Sequence, residues 1–252
     1  MGGDFRHDIL EKVEHRPWPM PQSMWIMTQT WNDLLFAHWP VDARTLQENV
    51  PAGFELDLFD GQGWLGIVPF HMTNVAPRGV PALPFMSAFR ELNVRTYVRV
   101  QGRPGVYFFS LDASNALAVG TARTMFHLPY FTAAMQVEDR GGWIHYRSRR
   151  TSDDGAPAEL EARYRPAGEV FKAEPGTLDY FLTERYCLFT TDASGHAYTV
   201  DIHHPPWPLQ SADAEFPVNT MADASGIGLP SMAPLVHFAK RQDIVAWPLT
   251  RV

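Results

Sequence analysis

Glu91, Asn93 and Arg95 stand two residues apart and alternate with apolar residues. Side chains at this spacing share one face of an extended strand, so the pattern predicts a polar row. A carboxyl group such as Glu91 could act as an acid or a base if burial raises its pKa. A guanidinium group such as Arg95 could hold a carboxylate through two parallel hydrogen bonds. The spacing thus indicates acid/base chemistry or anion binding.

The sequence leaves two interpretations of this polar row open. Charged rows on strands are usually solvated, so the row could simply face water. Alternatively, the apolar row that includes Leu92 and Val94 meets outer helices, and the polar row lines a cavity. In that case Glu91 either pairs with Arg95 or remains an unpaired acid or base.

A second group of candidate residues follows about thirty positions later, at Arg123, His127 and Tyr130. Arg123 and His127 are four apart, which places them on one face of a helix. Arg123 could hold an anion or form a buried ion pair, and His127 could bind a ligand or end the helix. Tyr130 could donate its hydroxyl hydrogen, although a packed tyrosine is the commoner case.

Periodicity and turn residues predict the elements that would position both groups. Alternation favours strands at residues 90–101 and 105–112, with the tetrad at 102–105 as the hairpin turn. Ala-rich spacing favours a helix at 114–126, for which Ser114 is an available cap.

Other segments carry similar signals. Residues 24–31 and 33–39 are expected to form two strands or one bulged strand, and Asp42 should cap a helix. Pro69, within a predicted strand at 63–72, implies a sheet edge or a bulge. Further predicted elements are a helix at 177–185 capped by Thr177, strand pairs at 143–150 with 158–164 and at 186–191 with 196–203, and short strands near 213–219, 234–239 and 243–249.

The regular spacing of strands and turns predicts an α+β, mainly antiparallel β protein. We expect a single domain over residues 1–252, with residues 1–17 as an N-terminal extension. A cone-shaped, closed β-barrel with a few outer helices would remove the sheet edges that so many strands create.

Composition narrows the classes of partner. The formal net charge is -7 and there is no basic run, which argues against a nucleic-acid partner. The apolar runs are too short for a membrane span, and one cysteine, Cys187, fits a reducing compartment. We therefore expect a cytoplasmic protein. HExxH and CxxC motifs are absent, and the neighbours His203 and His204 point to opposite strand faces, so no metal site is expected.

Several motifs in a fixed order resemble the DUF2071, or YqjF-like, family of the acetoacetate decarboxylase-like superfamily. The resemblance covers the chain from about Trp18 to Val252. It rests on the following runs: Phe36-Ala37-His38-Trp39-Pro40, residues 53–70 (GFELDLFDGQGWLGIVPF), residues 91–98 (ELNVRTYV), residues 105–112 (GVYFFSLD), Ala122-Arg123, and Leu128-Pro129-Tyr130.

This resemblance implies a cone-shaped antiparallel barrel with an internal cavity. Acetoacetate decarboxylase works through a lysine that forms a Schiff base. The resemblance places Glu91 at that enzyme's glutamate and Tyr130 at the position of its reactive lysine. The three lysines of this chain, Lys12, Lys172 and Lys240, stand elsewhere.

Three functional hypotheses follow. The first is a small-molecule-binding protein with a lyase- or hydrolase-like activity that needs neither a Schiff base nor a cofactor. Its catalytic residues would be Glu91 and Tyr130, and its substrate-binding residues Asn93, Arg95, Arg123 and His127. The second is a binding or sensing protein without turnover. The third, an interaction module, requires an exposed aromatic patch among Trp18, Trp25, Trp31 and Trp207. Each is compatible with a homo-oligomer.

Overall fold

The computed structural model describes residues 4–82 and 87–252, and strands are its main secondary structure. Residues 1–3 of the predicted N-terminal extension lie outside the described residues. The strands are β1 (Met27–Val41), β2 (Glu55–Leu56), β3 (Gly63–Pro77), β4 (Phe89–Val100), β5 (Arg103–Ala113), β6 (Tyr130–Arg140), β7 (Trp143–Arg150), β8 (Glu159–Phe171), β9 (Cys187–Thr191), β10 (Ala197–His203), β11 (Leu209–Asn219), β12 (Leu235–Ala246) and β13 (Thr250–Arg251). The helices are α1 (Ala43–Asn49), α2 (Ala116–Phe126) and α3 (Leu178–Thr183), with short 3-10 helices at His7–Glu11 and Asp223–Ser225.

All thirteen of these strands belong to one sheet, in the order β13-β10-β9-β5-β6-β7-β8-β11-β12-β1-β3-β4-β2. Two additional pairings, β4 with β5 and β10 with β12, join strands that are separated in this order. Most pairs are antiparallel, and β5 runs parallel to β6 and to β9. The protein is therefore α+β and mainly antiparallel, as the sequence predicts. No helix in the described part of the chain has the length and apolar character needed to cross a membrane.

The position of Pro69 is explained by an interruption in the pairing of β1 with β3. The register of this pair shifts between Asn32 and Ala37, so the residues around Pro69 have no regular partner on β1. On its other side Pro69 pairs with Leu92 of β4. Proline has no N–H to donate to a neighbouring strand, so the pairing of β1 with β3 is interrupted where β3 lacks a hydrogen-bond donor. The predicted bulge is confirmed, and β1 is one strand rather than two.

The hairpin of β4 and β5 is tighter than predicted. Val100 pairs with Arg103 and Arg99 pairs with Pro104, so the turn consists of Gln101 and Gly102. Both residues have positive φ, 51° and 78°, as the favoured two-residue turns of hairpins require. The predicted tetrad at 102–105 therefore lies mostly within β5.

Side chains cap all three α-helices. Asp42 accepts a hydrogen bond from the Thr45 N–H and Thr177 accepts one from the Tyr180 N–H, as predicted. At α2 the cap is Asn115, not Ser114. The Ser114 hydroxyl instead accepts a hydrogen bond from the Arg90 N–H, because it lies beside the start of β4.

The sequence patterns do not predict β6. The helix α2 ends at His127, which has a left-handed φ of 51°, and the chain then turns sharply into the strand. The Leu111 N–H donates to the Pro129 carbonyl oxygen at 3.0 Å, and Leu111 pairs with Tyr130 across parallel strands. This contact brings Tyr130 beside the end of β5, where β4 also pairs.

Strand β4 is covered on both faces. Leu92 and Val94 belong to an apolar cluster with Leu35, Ile67 and Tyr146, which lie on β1, β3 and β7. The expectation that this apolar row meets outer helices is therefore wrong, because it packs mainly against other strands. The polar row of β4 lies on the opposite face.

Candidate functional site

A cavity of about 300 Å³ lies against the polar face of β4. Eight strands contribute to its wall. Seven of them each pair with two others of the set, namely β1, β3, β4, β5, β9, β10 and β12, and β6 adds Tyr130. Helix α2 also forms part of the wall, through Ala118, Thr121, Ala122 and Phe126. This helix lies against the cavity rather than only outside the sheet. The volume is within the range of small-molecule sites.

The polar row of β4 faces this cavity and is buried. Glu91, Asn93 and Arg95 are 3%, 2% and 5% exposed, and all three line the wall. The interpretation in which this row faces water is therefore wrong. Its failure has a simple cause: one face of β4 packs in the apolar cluster with β1, β3 and β7, and the other face is covered by the cavity wall.

Glu91 and Tyr130 form a buried hydrogen-bonded pair. The Tyr130 Oη donates to Glu91 Oε2 at 2.9 Å, and both residues line the cavity. Burial raises the pKa of Glu91 to about 8, although the hydrogen bond from Tyr130 acts in the opposite direction. Burial and the neighbouring Glu91 also raise the pKa of Tyr130 well above 10. At neutral pH the pair therefore contains a protonated carboxyl group and a neutral phenol.

Arg95 has few partners for a buried guanidinium group. Its Nη2 donates to the Leu182 carbonyl oxygen at 3.2 Å, and its guanidinium carbon lies 5.2 Å from the Phe36 ring centroid. Its Nε has no hydrogen-bond partner, and no carboxylate of residues 4–82 or 87–252 forms an ion pair with it. The Oδ1 atom of Asn93 is likewise buried without a partner. Two cavity-lining side chains thus keep unused polar atoms.

Arg123 and His127 lie outside this site. Arg123 forms a half-exposed ion pair with Asp154, and its Nε donates to the Tyr130 carbonyl oxygen. The His127 ring lies 5.3 Å from that of Tyr198, and neither Arg123 nor His127 lines the cavity. The expected convergence of these two residues with Glu91 and Arg95 is therefore not observed. The reason is local: the cavity-lining residues of α2, which include Ala118, Ala122 and Phe126, share one face of the helix, and Arg123 and the C-cap residue His127 lie off that face.

Arg185 and His204, which are not among the predicted site residues, also line the cavity. Arg185 forms a buried ion pair with Asp57 at 2.7 Å. Burial lowers the pKa of His204 to about 4, and its Nδ1 and Nε2 lie 2.8 and 3.1 Å from the carbonyl oxygens of Pro205 and Arg185. No local pattern marks either residue, because β9 and β10 reach the cavity only through distant pairings.

All three lysines of the sequence are exposed and none lines the cavity. Lys12 pairs with Asp8, and Lys240 pairs with Asp33. Among the residues that the structure describes, no group of three His, Cys, Asp or Glu side chains is placed to share a metal ion. Trp207 is buried and Trp18, Trp25 and Trp31 are half-buried, so these four form no exposed aromatic patch.

Sequence comparison identifies a matching protein family and a similar individual protein. The family model of DUF2071, "Uncharacterized conserved protein", matches residues 28–243. The "Uncharacterized protein YqjF" of Bacillus subtilis (strain 168) is 52% identical over 243 residues, which cover 96% of this chain and 99% of that protein.

Solved structures with a similar fold share little sequence with this chain. The enduracididine biosynthesis enzyme MppR complexed with pyruvate has a TM-score of 0.61 at 12% identity, covering 95% of this chain and 93% of that one. An acetoacetate decarboxylase from Legionella pneumophila has a TM-score of 0.56 at 14% identity, covering 100% and 98%. At these identities the similarity establishes the fold alone.

Proposed function

The chain belongs to the DUF2071 family, and from this premise we propose that it binds a small organic molecule with a carboxylate or carbonyl group in the cavity beside β4. One observation carries the proposal: a protonated acid, Glu91, and a guanidinium group with no carboxylate partner among the described residues, Arg95, line the same cavity. Buried groups with displaced pKa values are typical of functional sites.

Arg95 and Asn93 are the proposed binding residues. The free Nε of Arg95 can donate to a ligand carboxylate, and the free Oδ1 of Asn93 can accept a hydrogen bond from the ligand. A buried polar atom without a partner destabilises the unliganded protein, so a ligand that satisfies it gains affinity.

Glu91 and Tyr130 are the proposed catalytic residues. Glu91, protonated at neutral pH, donates its proton to the carbonyl oxygen of the ligand, and its carboxylate then takes a proton from the adjacent carbon, so that an enol forms and the carboxyl group is restored. Tyr130 keeps its hydrogen bond to Glu91 Oε2 and stabilises the carboxylate between these two steps. No lysine takes part, since the three lysines are exposed. The activity is therefore of a lyase or hydrolase kind that forms no Schiff base.

The proposed enclosure is a cone-shaped closed barrel within a single domain. The pairings of β4 with β5 and of β10 with β12 support it, because they link separated strands of the sheet. The similarity to acetoacetate decarboxylase and to MppR, which was solved with pyruvate bound, supports a ligand with a carbonyl or carboxylate group.

The lone, buried Cys187 supports a cytoplasmic location.

A second candidate function is binding without turnover. It is favoured by the lack of a second base: among the described residues that line the cavity, burial lowers the pKa of His204 to about 4, so that this imidazole is a weak base at neutral pH. Without another acceptor, Glu91 would have to serve as both acid and base.

Two measurements test the proposal and separate its alternatives. Native mass spectrometry of protein purified from its own host should detect a bound metabolite. In D2O, NMR should show deuterium exchange next to the carbonyl group of a bound keto acid, slower above about pH 8 as Glu91 ionises. The exchange should be absent in Glu91→Gln and retained in the surface control Glu138→Gln. Binding without exchange would favour the second candidate, and no binding by any carbonyl or carboxylate compound would refute both.

A further inference from the structure

We propose that the ligand is an elongated, apolar monocarboxylic acid, such as a medium-chain or phenylalkyl acid, whose carboxylate binds Arg95 while its apolar body follows β4. This inference rests on the proposed function and specifies the class of ligand.

The charges around Arg95 require one additional anion. Asp57 is shared by Arg99 and Arg185, each at 2.7 Å, whereas Arg95 has no carboxylate partner among the described residues. The Arg99 side chain is 44% exposed and therefore partly solvated, so of the two buried arginines Arg185 has the Asp57 carboxylate and Arg95 has none in the described part of the chain. The titratable neighbours do not add negative charge, since His38 and Tyr97 are neutral and hydrogen-bonded to each other at 2.7 Å. A buried cation without an anion is costly, so a single ligand carboxylate completes the site.

The rest of the wall is mainly apolar. Beyond the polar row, β5 contributes Val106, Phe108 and Leu111, and Leu128 and Trp207 add further apolar surface. The ligand atoms away from the carboxylate are therefore surrounded by apolar side chains instead of water. Such contacts favour methylene or phenyl groups, and a second charge there would lack a partner.

The cavity is elongated along β4. Its wall includes Phe89, beside the exposed residues Val80 and Leu117, and extends to the deeply buried Arg95. Glu91 and Arg95 are four residues apart, which is roughly 13 Å along a strand at about 3.3 Å per residue. A cavity of about 300 Å³ that covers this length is narrow. A linear chain or a single ring fits it, whereas a short keto acid would leave most of it empty.

The decisive experiment measures affinities of the intact protein by isothermal titration calorimetry at pH 7. The probes are straight-chain acids from butanoate to decanoate, pyruvate, and the uncharged primary amide of each straight-chain acid. Affinity should rise roughly threefold to fourfold per methylene until the chain fills the cavity. Octanoate should bind at least tenfold more tightly than octanamide and than pyruvate.

Variants locate the carboxylate. Arg95→Met should remove the preference for octanoate over octanamide, whereas the exposed control Arg147→Met should keep it. Thermal unfolding of each variant checks that it is folded, and the comparison of acid with amide in the unaltered protein requires no variant.

Three results would overturn the inference: equal affinity for acid and amide, affinity independent of chain length, or pyruvate binding more tightly than octanoate. Each of these leaves ligand binding in the cavity, and hence the proposed function, intact. If no probe binds and no metabolite is captured from the host, the inference and the proposed function both fail.

Discussion

At the scale of single residues, surroundings rather than residue type decide the charge of a buried carboxyl group. Glu91 receives one hydrogen bond from an uncharged phenol, and burial raises its pKa to about 8. Asp57 is equally buried but accepts hydrogen bonds from the guanidinium groups of Arg99 and Arg185. Glu91 is therefore a proton donor at neutral pH, while Asp57 serves to balance charge.

The displaced pKa of Glu91 predicts a pH-dependent stability. Its folded value of about 8 exceeds the ordinary 4.5, so the folded protein binds this proton more tightly than the unfolded chain. The contribution is complete below pH 4.5 and is lost by about pH 8, a decrease of about 5 kcal/mol at most. Glu91→Gln should remove it. Urea unfolding at pH 5, 7 and 9 should show a smaller loss of stability in this variant.

Other buried carboxyl groups do not obscure this comparison. Burial also raises the pKa values of Asp112 and Glu184. These two groups are present in both the unaltered protein and Glu91→Gln, so their contributions to the pH dependence of stability cancel when the two proteins are compared. The surface variant Glu138→Gln should retain the pH dependence of the unaltered protein. An identical loss of stability between pH 5 and 9 in Glu91→Gln would show that Glu91 ionises normally.

At the scale of elements, short helices support the site through their ends. The six-residue helix α3 presents the Leu182 carbonyl oxygen, which accepts hydrogen bonds from Arg95 Nη2 and from Tyr97 Oη at 2.7 Å. Such a short helix is marginal alone, so its cap matters. Thr177 supplies that cap, and its hydroxyl also donates to the Glu174 carbonyl oxygen at 2.7 Å.

Removal of this cap should affect both stability and the site. Thr177→Ala should lower the free energy of unfolding by about 1 kcal/mol, the usual cost of a lost N-cap. It should also weaken binding of a carboxylate probe, because the Leu182 carbonyl that holds Arg95 becomes less ordered. Urea unfolding and calorimetry measure the two effects. Thr177→Ser keeps the capping oxygen and should retain most of the stability and most of the affinity for the carboxylate probe. If Thr177→Ser and Thr177→Ala lost equal amounts of stability and affinity, the capping role would be contradicted.

At the scale of the whole molecule, a buried ion pair joins two regions of the sheet. Arg150 of β7 donates through Nε and Nη2 to the two carboxylate oxygens of Asp112 on β5, both at 2.8 Å. The Phe131 ring lies 3.9 Å from the guanidinium carbon. The pair lies beside the junction of β5 with β4 and β6, where Glu91 and Tyr130 meet.

The position of this pair predicts a large effect of breaking it. Asp112→Ala leaves Arg150 buried without its anion and should cost about 3 to 5 kcal/mol. The matched control is the exposed pair of Arg163 with Glu215, where Glu215→Ala should cost no more than about 1 kcal/mol. Urea unfolding at pH 7 compares them. Similar small costs in both variants would show that the buried pair contributes little.

The sequence by itself determined the local structure and the family. Alternation predicted β4 and β5, capping residues predicted α1 and α3, and motifs such as residues 53–70, 91–98 and 105–112 predicted a DUF2071 protein. These signals are local, because a strand face, a cap or a motif depends on neighbours in the chain. The strand β6 was missed, since its pairing with β5, not its own pattern, fixes it.

Only the tertiary structure decided which face of β4 encloses a cavity and which residues share it. Arg185 and His204 line the cavity because β9 pairs with β5, which lies about eighty residues earlier in the sequence. Arg123, in contrast, pairs with Asp154 outside the cavity. Burial, and with it the pKa of Glu91, is set by side chains from strands far apart in the chain. Spacing along a strand therefore fixes which residues share a face, and only packing of the whole sheet fixes whether that face meets water.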